Sequence, residues 1–234
     1  MPEIADLFGD AVQHFWSSRA GGAVDRPETF DGRRGEVVGG KQCDGFLRAL
    51  KALTVAAGVN PSEIHFKQTE IPGFFRSQKA WDLIVVKDRR LRAVVEIKSQ
   101  VGPSFGNNFN NRAEEAIGNA TDLWTAFREG AFGSSPAPFV GYLFLLESCD
   151  ESLAPVEPRE PHFEVFPEFK KASYLERYAE LCRRLVDERL YTSAALLMSR
   201  QDEALDRPKY SEPVAELGIE RFCDQLLRHV RDAS

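Results

Sequence analysis

Trp81-Asp-Leu-Ile-Val-Val-Lys-Asp-Arg-Arg-Leu-Arg-Ala-Val-Val-Glu-Ile-Lys98 decides the fold. Trp81 to Val86 and Leu91 to Ile97 are two runs rich in Val, Ile and Leu, separated by the polar Lys87-Asp88-Arg89-Arg90, so the segment predicts a β-hairpin. Side chains alternate along a strand, which puts Glu96 and Lys98 on one face and Ile97 on the other. A three-residue turn centred on Arg89 would set Asp82 directly across from Glu96. Cross-strand Cβ atoms lie ~5 Å apart, close enough for two carboxylates to share one cation, and a one-residue slip would separate them.

The resulting pattern, D-x13-E-x-K, suits metal-dependent hydrolysis of a phosphodiester. Asp82 and Glu96 would hold Mg2+, a hard cation that keeps several waters beside substrate phosphate oxygens, and the carbonyl of Ile97 could reach the same ion. Lys98 would orient the attacking water or contact the scissile phosphate. The competing reading is a solvated ion-pair cluster worth ~0–1 kcal/mol, and taken alone the pattern favours it. The apolar flanks Leu83 to Val86 and Ala93 to Ile97 shift the balance, because they place the acidic pair at a core edge.

Val101-Gly-Pro-Ser-Phe-Gly-Asn-Asn-Phe-Asn-Asn-Arg112 follows at once and predicts an asparagine-rich loop. Asn107, Asn108, Asn110, Asn111 and Arg112 suit base reading, since asparagine bonds bidentately to adenine and arginine to guanine. A structural role competes here too. Asn111 with Glu114 resembles a helix capping box, and Asn107 or Asn108 could occupy left-handed turn positions.

Elsewhere, Ile4 to Trp16 repeats apolar residues at helical spacing. Residues 20–41 are glycine-rich and predict an irregular loop. A helix is expected over residues 44–57, with Asp44 near its start and Gly58 as its stop. A short strand is expected at Ile64 to Lys67, and turns around Pro72-Gly73. Asn111 to Arg128 predicts a helix with Ala116, Ile117, Ala120, Leu123, Trp124 and Phe127 inside. Phe139 to Leu146 reads as a buried strand and Glu147 to Pro161 as an exposed connection. Residues 172–199 and 213–230 read as further helices.

With 234 residues and 43% hydrophobic content, the chain can bury one substantial core, so a single domain is expected: residues 1–41 as N-terminal helix and loop, about 42–146 as catalytic core and about 162–234 as a helical C-terminal part. No secretory signal is visible at Met1 to Phe8, and Ala131 to Leu146 is too short and too interrupted by proline to span a bilayer. A cytoplasmic protein without a membrane partner is expected. Cys43, Cys149, Cys182 and Cys223 are too dispersed for a zinc site and read as reduced thiols. A net charge of −6 excludes a broad basic coating, although it leaves room for one positive face. Arg33, Arg34, Lys41, Lys87, Arg89, Arg90 and Arg92 are candidates for that face; Lys41, Arg76 and Lys79 are candidates for DNA contact, with surface solvation as their plainer role.

Glu96-Ile-Lys-Ser99 with Val101 to Gly118 resembles the XhoI family of Type II restriction endonucleases. The likeness extends back through Gly39-Gly40, Asp44-Gly-Phe46, Pro72-Gly-Phe74 and Trp81-Asp82, and resumes at Pro161-His-Phe163 and Ala172 to Tyr178. It implies an α/β PD-(D/E)xK restriction-endonuclease-like core, a mixed central β-sheet flanked by helices. It also implies Mg2+-dependent cleavage of double-stranded DNA at the palindrome CTCGAG, leaving 5′ overhangs and 5′-phosphates, with a companion DNA methyltransferase that protects host sites. Trp81 stands where the superfamily name has proline, which leaves Asp82 intact. The catalytic roles carry to Asp82, Glu96 and Lys98; Asp44 is a possible additional acid, because many enzymes of the superfamily have one on an early helix, and equally a possible N-cap. A palindromic site favours a two-fold homodimer. A structure-directed repair or recombination nuclease of the same superfamily is the alternative enzyme. A non-catalytic sequence-specific DNA-binding module is the alternative outside catalysis.

Overall fold

In the computed structural model the described residues are 3–22, 32–206 and 209–232, with the backbone alone described at 22, 32–41 and 232. The N-terminal half contains α1 (Ile4–Gly22), α2 (Gly32–Ala56), β1 (Ile64–His65), β2 (Glu70–Pro72), β3 (Gln78–Ala80), β4 (Leu83–Lys87), β5 (Arg90–Gln100) and α3 (Phe105–Arg128). The remainder contains β6 (Phe139–Glu147), α4 (Asp150–Leu153), α5 (Tyr174–Asp187), β7 (Ser193–Ser199), α6 (Gln201–Asp206) and α7 (Ile219–Asp232).

Five strands form a mixed sheet in the order β1-β4-β5-β6-β7, and β2 pairs with β3 in a separate two-stranded ribbon. The β1/β4 and β4/β5 pairs are antiparallel, whereas β5/β6 and β6/β7 are parallel. Parallel neighbours need a crossover connection, and α3 and α5 supply the two. Both pack on the same sheet face, over Val94, Tyr142, Phe144 and Leu196. Helices α1, α2 and α7 cover the opposite face, over Leu83, Val95, Ile97 and Leu143. A sheet covered on both sides needs continuous rather than alternating apolar strands, which β6 shows in Phe139 to Leu146.

The hairpin forms as expected, with a different turn. Asp88 and Arg89 both have positive φ, at 50° and 60°, and Lys87 pairs with Arg90, so the connection is a tight two-residue turn rather than a three-residue one. A register shift between Val85 and Val86 then leaves Arg92 as the extra residue of β5, and pairing resumes at Val85 with Ala93. The bulge restores the register that a three-residue turn would have given. It also buries Arg92, one of the expected surface cations, whose Nε has no hydrogen-bond partner.

Other expectations are corrected. Part of the expected 20–41 loop is helical: residues 20–22 end α1 and residues 32–41 begin α2, while 23–31 lie outside the described residues. Asp44 therefore sits within α2, exposed, and is not its N-cap. Gly58 does end that helix region, with φ +97°. The asparagine segment is helical from Phe105, with Ser104 as N-cap, so neither the Asn111 capping box nor left-handed asparagines occur. Ile117 points outward at 47% exposure, although Ala116, Ala120 and Leu123 are buried as expected. Within residues 172–199 helix α5 ends at Asp187, and Ser193–Ser199 is the strand β7, not helix. Among the described residues, no helix is long and apolar enough to cross a membrane.

Candidate active site

Asp82 lies one residue before β4, and the hairpin register carries it beside Glu96. Its Oδ2 accepts the backbone N–H of Ile97 at 2.7 Å. Glu96 is only 2% exposed on the α3 side of the sheet, while Ile97 packs on the other side. Lys98 Nζ lies 2.7 Å from Glu96 Oε1, and Lys79 Nζ donates to Glu96 Oε2 at 2.7 Å. Lys79 also sits over the Trp81 ring, 4.6 Å from its centre. The carboxylate is thus clasped by two ammonium groups, one from β5 and one from the ribbon strand β3.

These positions set the charges. Burial pushes the Asp82 carboxyl up to about 6, and the neighbouring Glu96 charge adds to the effect against the Ile97 N–H and the two lysines. Burial alone would raise Glu96 too, but Lys98 and Lys79 outweigh it and hold that carboxyl below its ordinary range. For Lys98, burial works against the charged form, yet Glu96 overcomes it and the ammonium holds its proton more tightly than a free lysine. Lys98 is therefore a positive, hydrogen-bond-donating group here.

Helix α3 supports this centre with a polar stripe at helical spacing. Glu115 Oε2 lies 3.9 Å from Lys98 Nζ and 2.5 Å from Arg112 Nη1. One and two turns on, Asn119 and Asp122 grip Arg76: Nη2 donates to Asn119 at 2.7 Å and Nε to Asp122 at 2.7 Å. Asp122 also accepts the backbone N–H groups of Phe74 and Phe75, at 2.7 and 2.8 Å. Arg76 is thus a bracing residue of the β2–β3 loop, and Lys79 a partner of Glu96; neither is merely a solvated surface cation. The pairing of Lys79 was hidden in the sequence because β3 belongs to the separate ribbon. Glu115 was missed although its three-residue spacing from Arg112 was readable.

Asn107, Asn110 and Asn111 are exposed on the first turns of α3, and Asn108 and Arg112 are half-buried. Asp44 is exposed on α2, and among the described residues it does not join Asp82 and Glu96 in a group of three possible metal ligands. On the same helix, burial and then the Asp82 charge push the Cys43 thiol up to about 12. The Lys41 side chain lies outside the described residues. Cys182 and Cys223 are buried, Cys43 and Cys149 half-buried, and all four are free thiols.

Among the described residues no three His, Cys, Asp or Glu side chains form a ready metal cage. Two hard carboxylates fit a cation that retains waters and completes its shell from substrate phosphate. The donor set therefore suits a divalent ion of that kind, and Asp82 and Glu96 are the residues that could hold it.

A mixed sheet with flanking helices that presents Asp82, Glu96 and Lys98 together is consistent with a restriction-endonuclease-like fold. The family model described as restriction endonuclease XhoI matches residues 22–212. The chain is 52% identical over 205 residues to the Type II restriction enzyme BstVI of Geobacillus stearothermophilus, covering 85% of this chain and 91% of that one. It is 47% identical over 179 residues to the Type II restriction enzyme XhoI of Xanthomonas vasicola, covering 75% and 72%, and 49% identical over 164 residues to AbrI of Azospirillum brasilense, covering 66% and 71%. No solved structure matches. The chain belongs to the XhoI family of Type II restriction endonucleases, which are site-specific deoxyribonucleases.

Proposed function

We propose that this protein hydrolyses both strands of double-stranded DNA at CTCGAG in a Mg2+-dependent reaction, leaving 5′ overhangs and 5′-phosphates. The observation that carries the chemistry is the buried Glu96 carboxylate held between Lys79 and Lys98 beside Asp82. Asp82 and Glu96, with the Ile97 carbonyl, would hold Mg2+, which when bound would neutralise phosphate charge and make a water more acidic. Lys98, paired with Glu96, donates hydrogen bonds to the scissile phosphate and the incoming water. Water adds to phosphorus and gives up a proton to solvent, the bond to the 3′ oxygen breaks and that oxygen takes a proton from solvent, and the phosphate stays on the 5′ oxygen.

Asn107, Asn110 and Asn111 stand exposed along one end of α3, where side chains can reach base edges in the major groove. Asn108 and Arg112, the latter sharing Glu115 with Lys98, serve the DNA backbone near the cut; Lys41 is a backbone candidate on sequence alone. A palindrome read by identical half-sites calls for a two-fold homodimer. A companion methyltransferase would protect host DNA in the same cytoplasm. Cleavage of short duplexes tests this reading: CTCGAG should be cut with Mg2+ and spared with EDTA, and a duplex altered at one base should be spared in both. Equal cutting of the altered duplex would defeat the assigned specificity.

A further inference from the structure

Phe74 and Phe75 are large apolar side chains left in water, 52% and 71% exposed, at the tip of the loop between β2 and β3. They pack edge to face against each other, with ring centres 5.1 Å apart. The loop that carries them is held firmly. Asp122 takes both of their backbone N–H groups and the Arg76 guanidinium, while Asn119 takes a second arm of Arg76. Gly73 closes the turn against the same carboxylate, where a Cβ would come within 2.4 Å of Asp122 Oδ2. A mobile loop would bury such rings against the protein; this one is built to keep them out.

Its position gives the rings a partner. Lys79, on the strand leaving the loop, bonds to Glu96. The Cα atoms of Phe75 and Lys79 can be at most about 14 Å apart along the chain, or about four base-pair steps of ~3.4 Å. A duplex whose scissile phosphate lies at Glu96 and Lys98 is therefore within reach of the aromatic pair. The polar stripe of α3 also braces both places, Glu115 beside Lys98 and Asp122 under the loop.

We propose that Phe74 and Phe75 form a preorganised aromatic wedge that inserts between stacked base pairs of the bound DNA, within or just beside the cut site. Apolar wedges of this kind unstack a step at a cost of a few kcal/mol, least at flexible pyrimidine–purine steps. The wedge would thus add sequence selection without a base hydrogen bond. It rests on the DNA-cleaving reading of the site above.

The test uses duplexes containing CTCGAG with 2-aminopurine in place of adenine, one position at a time within the site and in both flanks. They are bound by the full-length protein with Ca2+ replacing Mg2+ to hold back cleavage. The wedge predicts a several-fold rise in fluorescence at one step, lost in the F74A/F75A double variant and retained in F75W. Binding by gel shift and cutting with Mg2+ are followed in parallel. A wild-type protein that binds and cuts with no brightened step overturns the wedge and leaves the nuclease reading standing, as does undiminished brightening in the double variant. Absence of wild-type binding and cutting would instead remove the nuclease reading itself. Conversion of a dimer into monomers by F74A/F75A would assign the rings to a second copy of the chain and likewise overturn the wedge.

Discussion

Replacing Asp82 by asparagine should stabilise the metal-free fold at pH 8 while removing cleavage. Burial and the nearby Glu96 charge raise this carboxyl from 3.8 to about 6, so the folded protein carries an anion that the unfolded chain would hold more comfortably. The gap is worth roughly 3 kcal/mol at about 1.36 kcal/mol per pH unit, and partial solvent access reduces it to about 1–3 kcal/mol. The sign follows from proton binding. At pH 8 Asp82 is ionised in both states and the penalty is complete. As pH falls through 6 the folded protein takes up its proton first, so the penalty is about half gone by pH 5 and absent well below 3.8. Asparagine keeps an oxygen for the Ile97 N–H but carries no charge. Urea unfolding with EDTA, at pH 8 and pH 5, measures the gain at each. No gain at pH 8, or the same gain at both pH values, would refute the reasoning.

The same electrostatics distinguish two substitutions at Glu96. Glu96→Ala would strand Lys79 and Lys98 in a largely buried site and should cost about 2–4 kcal/mol, somewhat below the value for fully buried pairs. Glu96→Gln keeps the shape and one acceptor oxygen but turns an NH2 donor toward the other ammonium group, so it should abolish cleavage with a loss in urea unfolding smaller than that of alanine. Asp122→Ala removes the acceptor for Phe74, Phe75 and Arg76 and should destabilise by about 2–3 kcal/mol; a loss under 0.5 kcal/mol would contradict its bracing role. Tyr142→Phe removes a buried hydroxyl without a hydrogen-bond partner, so thermal unfolding should show stability unchanged or raised by up to about 1 kcal/mol.

The catalytic hairpin was legible because strand alternation and turn chemistry act locally: Glu96 and Lys98 share a face and Asp82 meets their end of the hairpin. The turn was misread because Asp88 and Arg89 adopt left-handed conformations without the glycine that normally announces them. The asparagine segment carries turn-favouring residues, yet tertiary packing makes it helical. Phe105 stacks on Tyr174 and Phe109 meets Tyr178 edge on, contacts that no local window contains. Strand β7, Ser193-Ala-Ala-Leu-Leu-Met-Ser199, is buried throughout, so it has no two-residue alternation, and its Ala and Leu favour helix in isolation. Lys79 was beyond sequence reasoning for a different reason: its partner belongs to another sheet.

The central claim is that Asp82, Glu96 and Lys98 cut DNA at one sequence with the help of a divalent cation. Unmethylated plasmid of known sequence, digested with Mg2+ or with EDTA and followed by mapping of both ends of every break, tests it most directly. Discrete Mg2+-dependent breaks at CTCGAG, with 5′-phosphates on overhanging 5′ ends, are the expected result. Breaks that persist in EDTA, or that scatter without regard to sequence, would contradict it.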